Sequence, residues 1–233
     1  MDGFLILAIE TATGCGSVCL SRVGTGNYHL LAECSSQPDI THSRRLLGSI
    51  NWLMEGTGLS WDNLDAVAVS TGPGSFTGLR IGMAAAKSIS MAANIHLVGV
   101  PTLDALACAT GMKNQLVCSI LDARKKQVYA GFYRMDMHGR PVRLGEPQVV
   151  DHQDLLEQFS EPVLLVGPGA FVYRDCFKNA ENVSILPEHL SLPRALNVCL
   201  LAGDKIVRGE IENPMTAIPL YVRACEAEVN LQR

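Results

Sequence analysis

The sequence predicts a mixed α/β protein built as two successive repeats, the second decayed, and three observations carry that prediction. Short apolar, β-branched runs of strand length alternate with segments of helical period. Each half opens with three strand-like runs before any substantial helix, at residues 4–33 and again at 115–149. A glycine loop, Gly72-Pro-Gly-Ser-Phe-Thr-Gly78, then joins a buried strand directly to an alanine-rich helix.

Taken in order, Phe4 to Ile9 reads as a fully buried strand and Glu10-Thr-Ala-Thr-Gly-Cys-Gly16 as a polar glycine turn. Ser17 to Arg22 and Tyr28 to Glu33 complete a three-strand meander. Thr41 to Gly56 follows as a helix in which Leu46, Leu47, Ile50, Leu53 and Met54 make one apolar stripe, with Trp52 on the opposite side. Asp65 to Val69 is a strand, and the glycine loop delivers it to a second helix capped by Ser75 or Thr77. On that helix Gly82, Ala85, Ala86, Ile89 and Ala93 share a face that admits a close neighbouring backbone, while Leu79, Met83 and Met91 lie off it. His96 to Val100 is a fifth strand and Thr102 to Thr110 a third helix, so a first domain spans 1–111.

The second domain, 112–233, restarts with Gln115 to Leu121, an Asp122-Ala-Arg-Lys-Lys turn, Val128 to Arg134 and a third strand near Val142 to Val149. A weak helix at Gln153 to Phe159, a strand at Val163 to Val166 and a helix around Leu196 to Arg208 finish it.

With 233 residues, 48% of them apolar and 6% aromatic, the chain has ample core for independent folding. Its net charge of -4 argues against a protein that grips nucleic acid alone, since that needs a concentrated basic surface. The compact basic run Arg124-Lys-Lys126 reads as a solvated turn between strands. The eight cysteines, Cys15, Cys19, Cys34, Cys108, Cys118, Cys176, Cys199 and Cys225, show no zinc-site spacing and read as small buried hydrophobes in a reducing compartment. Met-Asp-Gly leads straight into the first strand with no basic leader and no span long enough for a bilayer, so a cytoplasmic protein without membrane attachment is expected.

The glycine loop invites a nucleotide reading, and its spacing fails the usual tests. A Walker loop needs glycine immediately before Lys-Ser/Thr and five residues earlier, where Ala86 and Ile81 stand before Lys87-Ser88. A hydrolase elbow needs glycines two residues either side of the serine, where Pro73 and Thr77 flank Ser75. His29, His42, His96, His138, His152 and His189 are scattered singly, with no pair at metal-ligand spacing and no triad to support a peptidase. His42 reads as a residue near a helix start.

Four blocks in order, Leu5 through Thr13, Gly72-Pro-Gly-Ser-Phe-Thr-Gly-Leu-Arg-Ile-Gly82, Gly99-Val-Pro-Thr-Leu-Asp-Ala-Leu106 and Asp122-Ala-Arg, resemble the TsaB (YeaZ) family of bacterial tRNA threonylcarbamoyladenosine biosynthesis. The resemblance spans nearly the whole chain and is strongest over 4–134. It implies two ribonuclease-H-like domains of the actin-like ATPase superfamily, the second reduced. It places Glu10, Thr11, Thr13 and Gly14 in a vestigial first phosphate loop. It also matches Leu164-Leu-Val-Gly-Pro-Gly-Ala170 to an adenosine-binding turn, but with Pro168 where a relative has glycine. Proline fixes that backbone and removes a donor, so no cofactor is expected.

In the catalytic relative, TsaD, a histidine pair follows the Gly-Val strand end; the corresponding positions here are Thr102 and Leu106, neither able to replace imidazole. The resemblance therefore implies a non-catalytic partner of TsaD, working with the ATPase TsaE and with TsaC upstream, homodimeric when alone and touching tRNA only indirectly. Direct tRNA contact through Arg80, Lys87 or the Arg124-Lys-Lys126 turn is the least expected, given the net acidity. The expected interface is the outward side of the first two helices, at Trp52, Leu79, Met83 and Met91. The competing expectation is a stand-alone small ATPase or kinase that uses Glu10 with Thr11 and Thr13 around magnesium phosphate.

Overall fold

Five runs of small and β-branched residues, each bounded by turn formers, make one sheet. They are β1 (Phe4–Glu10), β2 (Gly16–Gly24), β3 (Asn27–Ser36), β4 (Ala66–Gly72) and β5 (His96–Pro101). The computed structural model describes residues 3–24, 26–36 and 42–220, without the side chains of 42–44. The strand order is β3-β2-β1-β4-β5; the first three strands run antiparallel in sequence, and β4 and β5 extend β1 in parallel. A meander continued by parallel strands in this order is the ribonuclease-H-like sheet.

Helix α1 (His42–Thr57) packs on β2 and β3, burying Leu46, Ile50, Leu53 and Met54 against Val18, Leu20 and their neighbours. Leu47 leaves the expected stripe: it is 62% exposed, on the outward half of the helix with Trp52. The anticipated start at Thr41 and the side chain of His42 lie outside the described residues.

Helix α2 (Phe76–Ala93) sits on the sheet more closely than a helix with ordinary side chains can. Ser75 caps it, its hydroxyl accepting the Gly78 N–H at 3.3 Å, and Asn94 closes it in the left-handed conformation. Beside the cap, a methyl placed on Gly74 would lie 2.2 Å from the Ala12 carbonyl oxygen, one on Gly78 2.0 Å from that of Thr11, and one on Gly82 2.3 Å from the Thr11 hydroxyl. The buried face is thus Gly78, Gly82, Ala86 and Ser90, while Ala85, Ile89 and Ala93 are half-buried beside it.

Close approach also draws in the side chains flanking the glycines. Leu79 is 1% and Met83 4% exposed, which removes both from the outward surface where the sequence pattern had placed them.

The second sheet repeats the plan. It comprises β6 (Leu116–Asp122), β7 (Gln127–Met135), β8 (Pro141–Arg143), β9 (Gln148–Asp151), β10 (Val163–Val166) and β11 (Val183–Ile185). Its order is β11-β10-β6-β7-β8, with β9 also on β7. The expected third strand over 142–149 is split, because β8 pairs with Tyr133–Met135 and β9 with Gln127–Ala130. Helix α3 (Thr102–Cys108) precedes this sheet, and α4 (Gly169–Val172) and α5 (Arg174–Phe177) are single turns. The expected helix at 153–159 is reduced to a 3-10 turn, Leu156–Gln158.

The last helix, α6 (Ala195–Val207), belongs to the first unit, so a division into 1–111 and 112–233 does not describe the packing. The first unit is Met1–Ala105 with Pro193–Leu220; Leu106–Leu192 forms the described part of the second. Glu33 explains the return: its carboxylate accepts the Leu196 N–H at 3.2 Å and pairs with Arg194, while the Ser17 hydroxyl accepts the Ala195 N–H at 3.0 Å. A carboxylate at a helix N-terminus satisfies donors that the helix itself cannot. Further along, Gly203 faces Val23 so closely that a methyl would lie 2.4 Å from its Cγ1.

Both units are ribonuclease-H-like, and the second has the shorter helices. No helix among the described residues is long and apolar enough to cross a membrane.

The glycine face makes a contrast that can be measured. Gly78→Ala is expected to destabilise the fold by about 2–3 kcal/mol in urea unfolding, because its methyl meets immobile backbone. Gly48→Ala, in α1 with nothing within 4 Å, is expected to be neutral or stabilising. Equal effects at the two positions would contradict the close packing of α2.

Candidate functional site: the turn after the first strand

Glu10 ends β1 as a fully buried carboxylate. Its Oε1 accepts the Ala12 N–H at 2.6 Å, and Oε2 is buried without a hydrogen-bond partner. Burial pushes the carboxyl up to about 7, against the opposing pull of the Ala12 N–H and the Ser70 hydroxyl.

Thr11 beside it is equally committed. Its hydroxyl donates to the Gly78 carbonyl at 2.8 Å and its N–H approaches the Ser70 hydroxyl at 3.4 Å. Thr13 is half-buried, its hydroxyl accepting the Cys15 N–H at 3.3 Å, and Gly14 stands exposed at the tip. The structure therefore gathers Glu10, Thr11 and Ser70 under the start of α2, with Thr13 and Gly14 further out. Ser70, which the sequence reading did not single out, follows the apolar run of β4 at the point where it meets the turn.

A nucleotide phosphate at this turn would need free donors, and the protein has used several. The Ser75 N–H donates to the Ala12 carbonyl at 2.6 Å, the Gly78 N–H to the Ser75 hydroxyl, and the Leu79 N–H to the Ser75 carbonyl at 2.8 Å. For a cation the turn offers one buried carboxylate oxygen, and among the described residues no group of three or more His, Cys, Asp or Glu is placed to hold a metal. The side chains present do not form a magnesium-phosphate cradle.

The same device recurs in the second unit. Asp122 ends β6 and its Oδ1 accepts the Arg124 N–H at 2.9 Å, as Glu10 does with Ala12. Gly167-Pro-Gly169 ends β10 as Gly72-Pro-Gly74 ends β4, and Gly72 and Gly167 both have a φ of 113°. A methyl on Gly167 would lie 2.3 Å from the Ile120 carbonyl oxygen. The sequence signal was available: Gly-Pro-Gly-x-Phe occurs at 72–76 and again at 167–171. Pro168 thus caps a one-turn helix and its carbonyl accepts the Phe171 and Val172 N–H groups, a structural use of the turn.

Of the residues expected at a partner surface, Trp52 is 62% and Met91 56% exposed, and Leu79 and Met83 are withdrawn by their burial. Thr102 and Leu106, at the histidine positions of the catalytic relative, are fully buried.

The Glu10 carboxyl has a pH signature. Its proton leaves the unfolded chain near 4.5 and the folded chain near 7, so the stability it contributes is present below that window and lost as pH rises through it. Denaturation at pH 5 and pH 8 is expected to show wild type losing about 2–3 kcal/mol relative to Glu10→Gln over that rise. Parallel profiles would contradict the buried, proton-retaining carboxyl.

Comparison with known proteins gives these features a family. A family model described as TsaD: tRNA N6-adenosine threonylcarbamoyltransferase matches residues 36–231. The Escherichia coli (strain K12) tRNA threonylcarbamoyladenosine biosynthesis protein TsaB is 31% identical over 225 residues, covering 94% of each chain. The Bacillus subtilis (strain 168) protein of the same name is 28% identical over 230 residues, covering 96% of each. Among solved structures, YeaZ from Pseudomonas aeruginosa matches with a TM-score of 0.77 at 26% identity, covering 94% of this chain and 99% of that one. With a relative 31% identical across 94% of its length and a shared fold over 94% of this chain, the chain belongs to the TsaB (YeaZ) family.

Proposed function

We propose that this chain serves tRNA threonylcarbamoyladenosine synthesis as a non-catalytic partner subunit. It binds TsaD and supports transfer of the threonylcarbamoyl group to the adenosine beside the anticodon. TsaE and TsaC complete the system, and the chain pairs with itself when TsaD is absent. The observation that carries the reading is a contrast within one chain: it matches the transferase family model over 36–231, yet carries buried Thr102 and Leu106 where the catalytic relative has ligating histidines. The Glu10 turn supports the same reading, because its hydroxyls and the first donors of α2 are spent on packing.

The work of such a subunit falls to its surface. The outward half of α1 exposes Leu47 and Trp52, and α2 exposes Met91, while the buried faces of both helices hold the sheet. A large aromatic on a rigid helix is the side chain best suited to anchor a partner, since it brings area at little entropic cost. Leu47 joins the candidate surface on its exposure, taking the place of Leu79 and Met83.

Leu47→Glu combined with Trp52→Ala is expected to weaken the calorimetric affinity for TsaD by about tenfold or more, with the circular dichroism spectrum and Tm of the chain preserved. Unchanged affinity would overturn the interface.

A further inference from the structure

The hairpin between β6 and β7 carries a backbone that its residues disfavour. Arg124, Lys125 and Lys126 have φ values of 62°, 52° and 64°, three consecutive left-handed residues without a glycine. The Gln127 N–H donates to the Arg124 carbonyl at 2.9 Å and the Ala123 N–H to the Gln127 carbonyl at 2.9 Å, which closes a turn of the I′ hand. Asn-Gly is the pair that fits the two central positions of such a turn without strain, and here they are Lys125 and Lys126.

The surroundings hold that conformation from several sides. Asp122 accepts the Arg124 N–H and also the Tyr173 hydroxyl, at 2.9 Å each. The Lys126 carbonyl accepts both the backbone N–H of His152, at 3.1 Å, and its ring Nδ1–H, at 2.7 Å. The His152 ring in turn stacks on Tyr173 with centroids 4.3 Å apart. Backbone strain persists where neighbours over-determine it, and it concentrates at places that do something other than fold.

What this turn displays is charge. Arg124, Lys125 and Lys126 are all exposed. Two carboxylates stand beside it: Asp122, itself exposed, accepts the turn's own N–H and the Tyr173 hydroxyl, and Asp151, partly exposed, lies 3.3 Å from the His152 ring. A net charge of -4 describes the chain as a whole and conceals a local projection of three cations.

We infer that the Arg124-Lys125-Lys126 turn is a phosphodiester-binding element that contacts the RNA on which the complex acts. The inference rests on the proposed role in tRNA modification. A hairpin turn bearing three exposed cations in succession suits a polyanionic backbone, whose charges repeat along a strand. Such a contact positions the RNA and reads no base.

The turn type supplies a test that separates charge from folding. Lys125→Asn with Lys126→Gly removes two cations while installing the pair that the backbone favours, so its Tm is expected to equal or exceed that of wild type. In the complex with TsaD, an unmodified tRNA transcript followed by fluorescence anisotropy is expected to bind this variant about tenfold more weakly at low salt. The slope of log affinity against log salt should fall by roughly 1.5. Lys125→Arg with Lys126→Arg is expected to retain both. Unchanged affinity and slope in the Asn-Gly variant would overturn the inference, as would displacement of the complex's interaction at this turn by polyglutamate with none by tRNA. Titration of TsaD without RNA separates the two proposals: a wild-type chain that fails to bind TsaD contradicts the partner role, while the tRNA slope measured on the chain alone still decides the turn.

Discussion

The structure depends on the contact between the glycine face of α2 and the backbone of Thr11 and Ala12. At Gly74, Gly78 and Gly82 there is no room for a single methyl group, so the helix start and the turn after β1 form one solid piece. Three consequences follow from that closeness. The Thr11 hydroxyl donates to the Gly78 carbonyl while the Ser75 N–H donates to the Ala12 carbonyl, the Glu10 carboxyl is sealed from water, and Leu79 and Met83 sink into the core beside the glycines. The same contact makes this loop a piece of scaffolding.

Scaffolding of this kind fits a protein whose activity is expressed through its surface. Rigid placement of α1 and α2 fixes what their outward sides present, and a preorganised surface loses less entropy on binding. The second unit keeps the plan in miniature: Asp122 repeats the Glu10 hydrogen bond and Gly167-Pro-Gly169 repeats the strand-ending turn. There the turn that corresponds to residues 10–16 has become a short basic hairpin, strained and well supported, projecting cations where the first unit has a closed polar loop.

Much of the fold was legible because its signals are local. Apolar runs located β1, β4, β5, β6 and β10, and the letters narrowed the cap of α2 to Ser75 or Thr77, of which Ser75 fills the place. The assignment of side chains on α2 failed for a physical reason: helical periodicity tells which residues share a face but not how deep the helix sits, and three glycines set that depth. The return of α6 to the first unit was illegible because its cause, Glu33 with Arg194 and Leu196, spans more than 160 residues of chain. Of the candidate site, Glu10, Thr11, Thr13 and Gly14 were legible as one turn, whereas the part played by Ser70 needed the register of β1 against β4. The Gly-Pro-Gly-x-Phe repeat was present in the letters and became meaningful once the two sheets were seen to share an order.

The claim that the Glu10 turn is structural and that the chain acts by binding TsaD is tested most directly by reconstituted tRNA modification with TsaC, TsaD and TsaE. Modification is expected to require this chain and to proceed at the wild-type rate when Glu10→Gln replaces it. A Glu10→Gln chain that is folded and binds TsaD with unchanged affinity, yet no longer supports modification, would contradict the account and return the turn to a role in the chemistry.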